Sequence, residues 1–278
     1  METLTRSASV RDRVRAWRAA GQRIALVPTR GSLHKGHMRL VAEAQERAER
    51  VIVSTFCDPP QRDAPTLEAD RELLMNIGAD LLFVPPVQEM FPAGREGSAV
   101  VSLPGLQDVL EGALKPGYFA AAATILIKLF NIVRPDIAMF GERHYQQLII
   151  VRRLVDELFF SIDIVGCPPF RDNDGLAFAP GNRDIPDGDR GVAPRLYATL
   201  TAIGAKIDAG ERDYDSLERL GASWLEEAGF VTEYFAIRQA ADLAAVRAGT
   251  RDLVILAAAR LQRVRLTDNL RVHLIDRH

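Results

Sequence analysis

Ile24-Ala-Leu-Val-Pro-Thr-Arg-Gly-Ser-Leu-His34-Lys-Gly-His37 is the stretch on which the reading of this chain turns. Its apolar run breaks at Pro28, passes a turn at Gly31, and releases two histidines into the start of a helical pattern. That order is a strand, a turn and a helix N-terminus, where backbone N–H groups and the helix dipole gather negative charge. Imidazoles at i and i+3 project from one side of such a first turn. Together they form a seat suited to a polyphosphate. Read alone, the same residues also fit a βα unit with two solvated histidines, and the choice needs the rest of the chain.

Outward from this stretch, short apolar runs at 24–27, 51–56, 81–84, 137–140 and 162–166 alternate with amphipathic patterns at 38–48, 67–77 and 145–158. Near-continuous apolar strands separated by helices predict a parallel sheet covered on both faces. In such sheets ligands bind where the carboxyl ends of strands open onto a crevice. After Phe170 the texture changes to turn-rich polar sequence, Arg171-Asp-Asn-Asp-Gly and Pro180-Gly-Asn-Arg-Asp-Ile-Pro-Asp-Gly. Helical patterns at 190–209 and 215–228 follow, then strand-like runs at 232–237 and 253–259 and a short one at 264–266. The expected organisation is α/β: a Rossmann-like parallel-sheet domain over 1–175 and a smaller C-terminal α+β domain over 176–278.

Composition narrows the function classes. Apolar residues make up 47% and charged residues 26%, the profile of a globular protein with a substantial core. Thirty-five basic residues face 37 acidic ones, so no global field draws the chain to nucleic acid or to an anionic membrane. The N-terminal Met-Glu-Thr-Leu-Thr-Arg has no apolar leader pattern, and no apolar run is long enough to span a bilayer. Cys57 and Cys167 are too few and too far apart for a disulfide framework or a zinc site. The cytoplasm is the expected location, and no resident metal is expected.

Three further segments carry candidate chemistry, each just after a strand-like run or before a helix. Phe140-Gly-Glu-Arg143-His144-Tyr-Gln-Gln147 offers a glycine for close approach, a permanent cation and an amide with both donor and acceptor. Ser54-Thr-Phe-Cys57-Asp58-Pro-Pro-Gln61 places an Asp and a Gln at a strand exit, although Asp before Pro is also an ordinary turn residue. Gly112-Ala-Leu-Lys115-Pro-Gly-Tyr118-Phe sets a Lys and a Tyr on a rigid turn before a helix expected over 120–132. Singly, each also reads as a solvated loop. In one order suited to one crevice, they reinforce each other.

With these residues in view the chain resembles the pantothenate synthetase (pantoate–β-alanine ligase) family nearly end to end. The matching stretches include Val27-Pro-Thr-x-Gly-x-Leu-His-x-Gly-His37, Pro104-Gly-Leu…Leu-Glu-Gly, Lys115-Pro-Gly-x-Phe and Lys128-Leu-Phe-Asn-Ile-Val-x-Pro-Asp. They continue with Phe140-Gly-Glu, Tyr145-Gln-Gln, Ile164-Val-Gly, Asp174-Gly-Leu-Ala and Leu266-x-Asp-Asn. The resemblance implies a nucleotidyltransferase-type Rossmann-like domain of the HIGH class, a C-terminal cap and a homodimer. It implies ATP as substrate, with Mg2+ on its phosphates, a pantoate-like acid and a β-alanine-like amine. It also implies roles for His34, His37 and Arg143 in catalysis on the phosphates. Gln61 and Gln147 would hold the acid, with Arg30 and Tyr118 beside them. Gly31, Gly141, His144 and Arg183 would border the nucleotide.

The chain departs from the family pattern at several of these positions, as a divergent member would. Arg30 stands where the family has Met, Arg143-His144 where it has Lys-Asp, Asp58 where it has Asn, and Tyr118 where it has His. The family's Ser-Ser-Arg is replaced by Ala179-Pro180-Gly181, which removes charge-assisted contacts worth about 2 kcal/mol each. The segment after Gln61 is also shorter than the family's. Two alternatives to ordinary ligation follow: a repurposed relative joining a different small acid and acceptor, and a binding module without nucleotide chemistry.

Overall fold

A computed structural model describes residues 1–56 and 67–274, so Cys57, Asp58 and Gln61 lie outside the described residues. In chain order the elements are β1 (Glu2–Leu4), α1 (Ser7–Ala19), β2 (Ile24–Thr29), α2 (Lys35–Gln45), β3 (Arg50–Thr55), α3 (Leu67–Ile77) and β4 (Leu81–Phe83). They continue with α4 (Val87–Met90), α5 (Glu111–Leu114), α6 (Tyr118–Val133), β5 (Ile137–Gly141), α7 (Tyr145–Glu157) and β6 (Asp163–Cys167). The remainder holds α8 (Asp187–Arg190), α9 (Arg195–Asp208), α10 (Tyr214–Glu227), β7 (Val231–Gln239), β8 (Asp252–Leu261) and β9 (Val264–His273). Two compact units result: Met1–Gly141 with Ile150–Cys167, and Glu142–Ile149 with Pro168–His278. The boundary expected at 175/176 falls inside the second.

The first unit is a six-stranded parallel sheet in the order β1-β4-β3-β2-β5-β6. Successive residues Ile24, Ala25, Leu26 and Val27 are all fully buried, as a strand covered on both faces requires. Ala25 and Val27, Val51 and Val53, and Ile137 and Met139 share one cluster with Leu40, Val41 and Ala44 of α2 and Leu74 of α3. Each such aliphatic side chain contributes about 1.5–3 kcal/mol by leaving water. The strand order reverses between β2 and β5, the geometry that opens a ligand crevice at the carboxyl ends of strands. Their ladder is short, Ala25↔Ile137 and Leu26↔Ala138, so the strands part before either ends. Pro28, with no N–H to give, follows the last of those pairings.

The amino ends of the same strands are fastened by carboxylates. Asp136, from the turn before β5, accepts from the Ile24 N–H at 2.8 Å and from Arg18 at 3.1 Å. Asp80, before β4, accepts from the Val51 N–H at 2.8 Å and pairs with Arg50 at 2.6 Å.

In the second unit α9 and α10 pack on an antiparallel sheet β7-β8-β9. Leu196, Leu200, Ile203 and Ile207 form the buried stripe of α9 and meet Leu253, Ile255, Ala257 and Ala259 of β8. Two sequence expectations change here. The helical pattern at 190–209 is divided, because Pro194 forms the N-cap of α9 and separates it from α8. The short run expected at 264–266 extends to His273, because Thr267, Asp268 and Asn269 continue the strand despite their polarity. β1 and α1 lie in sequence for which no element was expected. Among the described residues no helix is long and apolar enough to cross a membrane.

Removing the Asp136 carboxylate leaves the Ile24 N–H without its partner at the start of a central strand. Asp136→Ala is expected to lower unfolding free energy by about 1–3 kcal/mol in a urea titration, and an unchanged midpoint would contradict this fastening role.

Candidate active site

The segment that leaves β2 is built around a histidine cap. His34 is the N-cap of α2 with extended backbone, and its Nδ1 accepts from the Gly36 N–H at 3.1 Å. His37 returns the bond, its Nδ1 accepting from the His34 N–H at 3.3 Å. This is a capping box in which imidazoles replace the usual hydroxyl and carboxylate. An Nδ1 that accepts carries no proton, so each neutral ring keeps its proton on Nε2 as a donor. The ring centroids stand 4.1 Å apart with a 50° tilt. A Cβ on Gly36 would sit 2.9 Å from the His34 ring, so only glycine lets that ring fold back over the helix end.

The turn before the cap is held from α3. Gly31 has φ +82 and Ser32 φ +57, two successive residues in the left-handed region, where a side chain is costly. Asp70 is 2% exposed and accepts from the Leu33 N–H at 2.8 Å. A Cβ on Gly31 would meet Thr55 at 3.2 Å and Asp70 at 3.4 Å, so the turn requires glycine on its own account. Burial pushes the Asp70 carboxyl above its ordinary value, while the Leu33 and Ser32 N–H groups pull it down. Arg30, on the same turn, is exposed.

Two further expected positions fall in the first unit. Tyr118, expected on the turn before a helix at 120–132, is instead the first residue of α6, which starts two positions earlier, with Phe119 against its ring and Lys115 Nζ 5.7 Å from the ring centroid. Gly141 ends β5 with ordinary backbone and nothing within 4 Å of a built Cβ. Neither conformation nor packing demands glycine there, which leaves room for a ligand to approach the backbone.

In the second unit, Arg143 and His144 lie in a 3-10 turn, Glu142–His144, that leads into α7. Arg143 Nη1 is 3.4 Å from His144 Nε2, and Arg143 Nη2 donates to Thr267 Oγ1 at 3.4 Å. Gln147 is half-buried on the first turn of α7, and the preceding Tyr145 is anchored by its hydroxyl to the Ala240 carbonyl at 3.0 Å. Ala179 caps a second 3-10 turn, Pro180–Asp184, in which Asn182 donates to the Ala177 carbonyl at 2.9 Å and Arg183 is exposed. Thus the structure brings His34 to His37 and Arg143 to His144.

The family match decides the assignment. Residues 2–271 match the family described as pantoate-beta-alanine ligase. The chain belongs to the pantoate–β-alanine ligase family. It is 44% identical over 282 residues to the pantothenate synthetase of Thioalkalivibrio sulfidiphilus, covering 99% of each protein. The crystal structure of pantothenate synthetase from Thermus thermophilus superposes with a TM-score of 0.87 at 35% identity, covering 97% of this chain and 99% of that one. A pantoate-beta-alanine ligase from Francisella tularensis, complexed with beta-gamma ATP and beta-alanine, matches with a TM-score of 0.78 at 25% identity over 97% of both chains. The fold is accordingly the HIGH-type nucleotidyltransferase fold of this ligase family.

Two residues with a part in the site carried no role in the sequence. Asp70 lies far along the chain from the turn it holds, on an otherwise ordinary helix face. Asn269 belongs to a stretch quoted for the family, Leu266-x-Asp-Asn, but only the fold discloses its target. The linkage at Asp70 has a definite sign. Its folded value exceeds its unfolded one, so its contribution to stability is complete below the unfolded value and is lost as pH rises through the folded value. Wild-type stability relative to Asp70→Asn is therefore expected to be greatest in acid and to decline toward neutrality. Parallel denaturation of both proteins from about pH 4 to about pH 8 measures this, and a pH-independent difference would contradict it.

Proposed function

We propose that this chain is an ATP-dependent ligase that joins pantoate to β-alanine through an acyl adenylate. The observation that carries the reading is the reciprocal histidine cap at the start of α2, which presents two Nε2–H donors at a helix N-terminus. End-to-end similarity to pantothenate synthetases supports it, as does the Francisella relative's complex. No observation favours a different acid and acceptor.

The chemistry proceeds in two displacements. A carboxylate oxygen of the acid attacks the α-phosphorus of ATP, the bond to the bridging oxygen breaks, and pyrophosphate leaves. The neutral amine then attacks the acyl carbon, AMP leaves, and the nitrogen gives up a proton to solvent. The protein's task is to screen phosphate charge and hold the reactants in line. In this reading His34 and His37 donate to phosphate oxygens, and Arg143 supplies a fixed positive charge. Gly31, Gly141 and His144 border the nucleotide, Gln147 and Gln61 hold the acid, and Arg30 and Tyr118 flank it. Ala179-Pro180-Gly181 offers no hydroxyl or guanidinium, so phosphate charge falls more heavily on the histidines, Arg143 and the neighbouring Arg183. Mg2+ enters with the nucleotide on its phosphates, the working form is a homodimer, and the setting is the cytoplasm.

Purified protein is expected to release AMP from ATP only when pantoate and β-alanine are both supplied at steady state. No AMP at high enzyme concentration would overturn the reading. His37→Ala is expected to lower adenylation sharply with the fold intact, and unchanged turnover would remove the histidine from its role. A finer test is Gly36→Ala, which displaces the His34 ring without touching its chemistry. It is expected to reduce adenylation by at least about tenfold, because small misplacements of a positioned group are that costly. Wild-type rates in Gly36→Ala would show that the folded-back ring position is unimportant.

A further inference from the structure

Strand β9 reaches the Arg143 turn with two alternate side chains. Asn269 is 4% exposed and donates through Nδ2 to the carbonyls of Glu142, at 2.8 Å, and Arg143, at 3.2 Å. Thr267, two positions earlier and so on the same face of the strand, accepts from the Arg143 guanidinium at 3.4 Å. Between them Asp268 points elsewhere and fixes the strand. Its Oδ1 accepts from the Asn269 N–H at 2.8 Å, and both its oxygens engage Arg171, at 2.5 and 2.9 Å. Arg171 is in turn held over the Tyr197 ring at 3.5 Å and donates to the Gly175 carbonyl at 3.0 Å.

We propose that Asn269 is a positioning residue for adenylation, holding the Glu142–Arg143 backbone from β9 so that the Arg143 guanidinium is already placed when nucleotide binds. The inference rests on the ligase reading above. Several observations separate it from a simple loop cap. Asn269 spends both amide hydrogens on two adjacent carbonyls of the same turn, so it sets the turn's orientation as well as satisfying it. The strand that holds the backbone of Arg143 also holds its head group. An arginine has a long, rotamer-rich side chain, and ordering it in advance removes a cost otherwise met on binding. The holder is itself immobile, because Asp268 and Arg171 form a bidentate pair with little exposure. Arg143 occupies the family's lysine position, and its forked head is able to use a fixed acceptor such as Thr267 while directing its remaining N–H groups elsewhere.

The test uses ATP–pyrophosphate exchange in the presence of pantoate, with thermal unfolding as a check on the fold. Asn269→Ala is expected to lower kcat/KM for ATP by at least about tenfold. The half-reaction from preformed acyl adenylate and β-alanine is expected to remain near wild type. Because Asn269→Ala leaves two carbonyls unsatisfied and so threatens folding, Thr267 provides a second, milder arm. Thr267→Val, which keeps the shape and removes the acceptor, is expected to raise KM for ATP about threefold to tenfold, and Thr267→Ser to restore it. Folded variants with unaltered ATP kinetics, or Val and Ser variants that behave alike, would overturn the inference while leaving the ligase reading intact. Absence of exchange in the wild-type chain would overturn the ligase reading, and the inference with it.

Discussion

A helix begins with backbone N–H groups that its own turns are unable to satisfy, and at α2 that deficit is met by imidazoles. Everything local to the site depends on this arrangement. Because Nδ1 of each ring is occupied by the backbone, the opposite nitrogen of each is left as the donor. One ring atom of each imidazole is thereby committed to the fold. The cap in turn dictates its neighbours: glycine at position 36, where the His34 ring folds back, and a tight left-handed turn at Gly31 and Ser32 that delivers the chain to the cap. Asp70 accepts from the backbone of that turn at the cost of burying a carboxyl.

Those elements whose cause is local could be read from sequence. The buried run 24–27 followed by glycine and two histidines gave the strand, the turn and the helix start. The alternation of apolar runs with amphipathic patterns gave the parallel sheet, and the apolar stripes gave α9 and α10. What escaped was determined by distant partners. β1 is three residues long and owes its existence to pairing with β4. The second half of β9 carries no apolar run, because Asp268 and Asn269 are polar, yet they are buried against Arg171 and the Glu142 turn. Asp70 reads as one charge among several on an amphipathic helix, and only the folded chain brings it beneath Leu33.

The same division of labour runs through the site residues. Gly31 is required by its own turn, whereas Gly141 is required by nothing the chain itself provides. A motif glycine is therefore not one kind of evidence. The first answers to the fold of its own turn, and the second does not. Arg143 likewise gains meaning from Thr267 and Asn269, which fix how far its charge is free to wander.

Asp136 grips the first amide of β2 and Asp80 the second of β3, at the ends of the strands opposite the histidine turn. The carboxylate clamps and the histidine turn thus lie at opposite ends of β2. Substitutions in the turn after β2, such as Arg30, are then buffered, because they lie away from the clamped strand starts. Such a scaffold tolerates drift in its recognition residues over evolutionary time, and a lineage is able to retune its site while inheriting an unaltered frame.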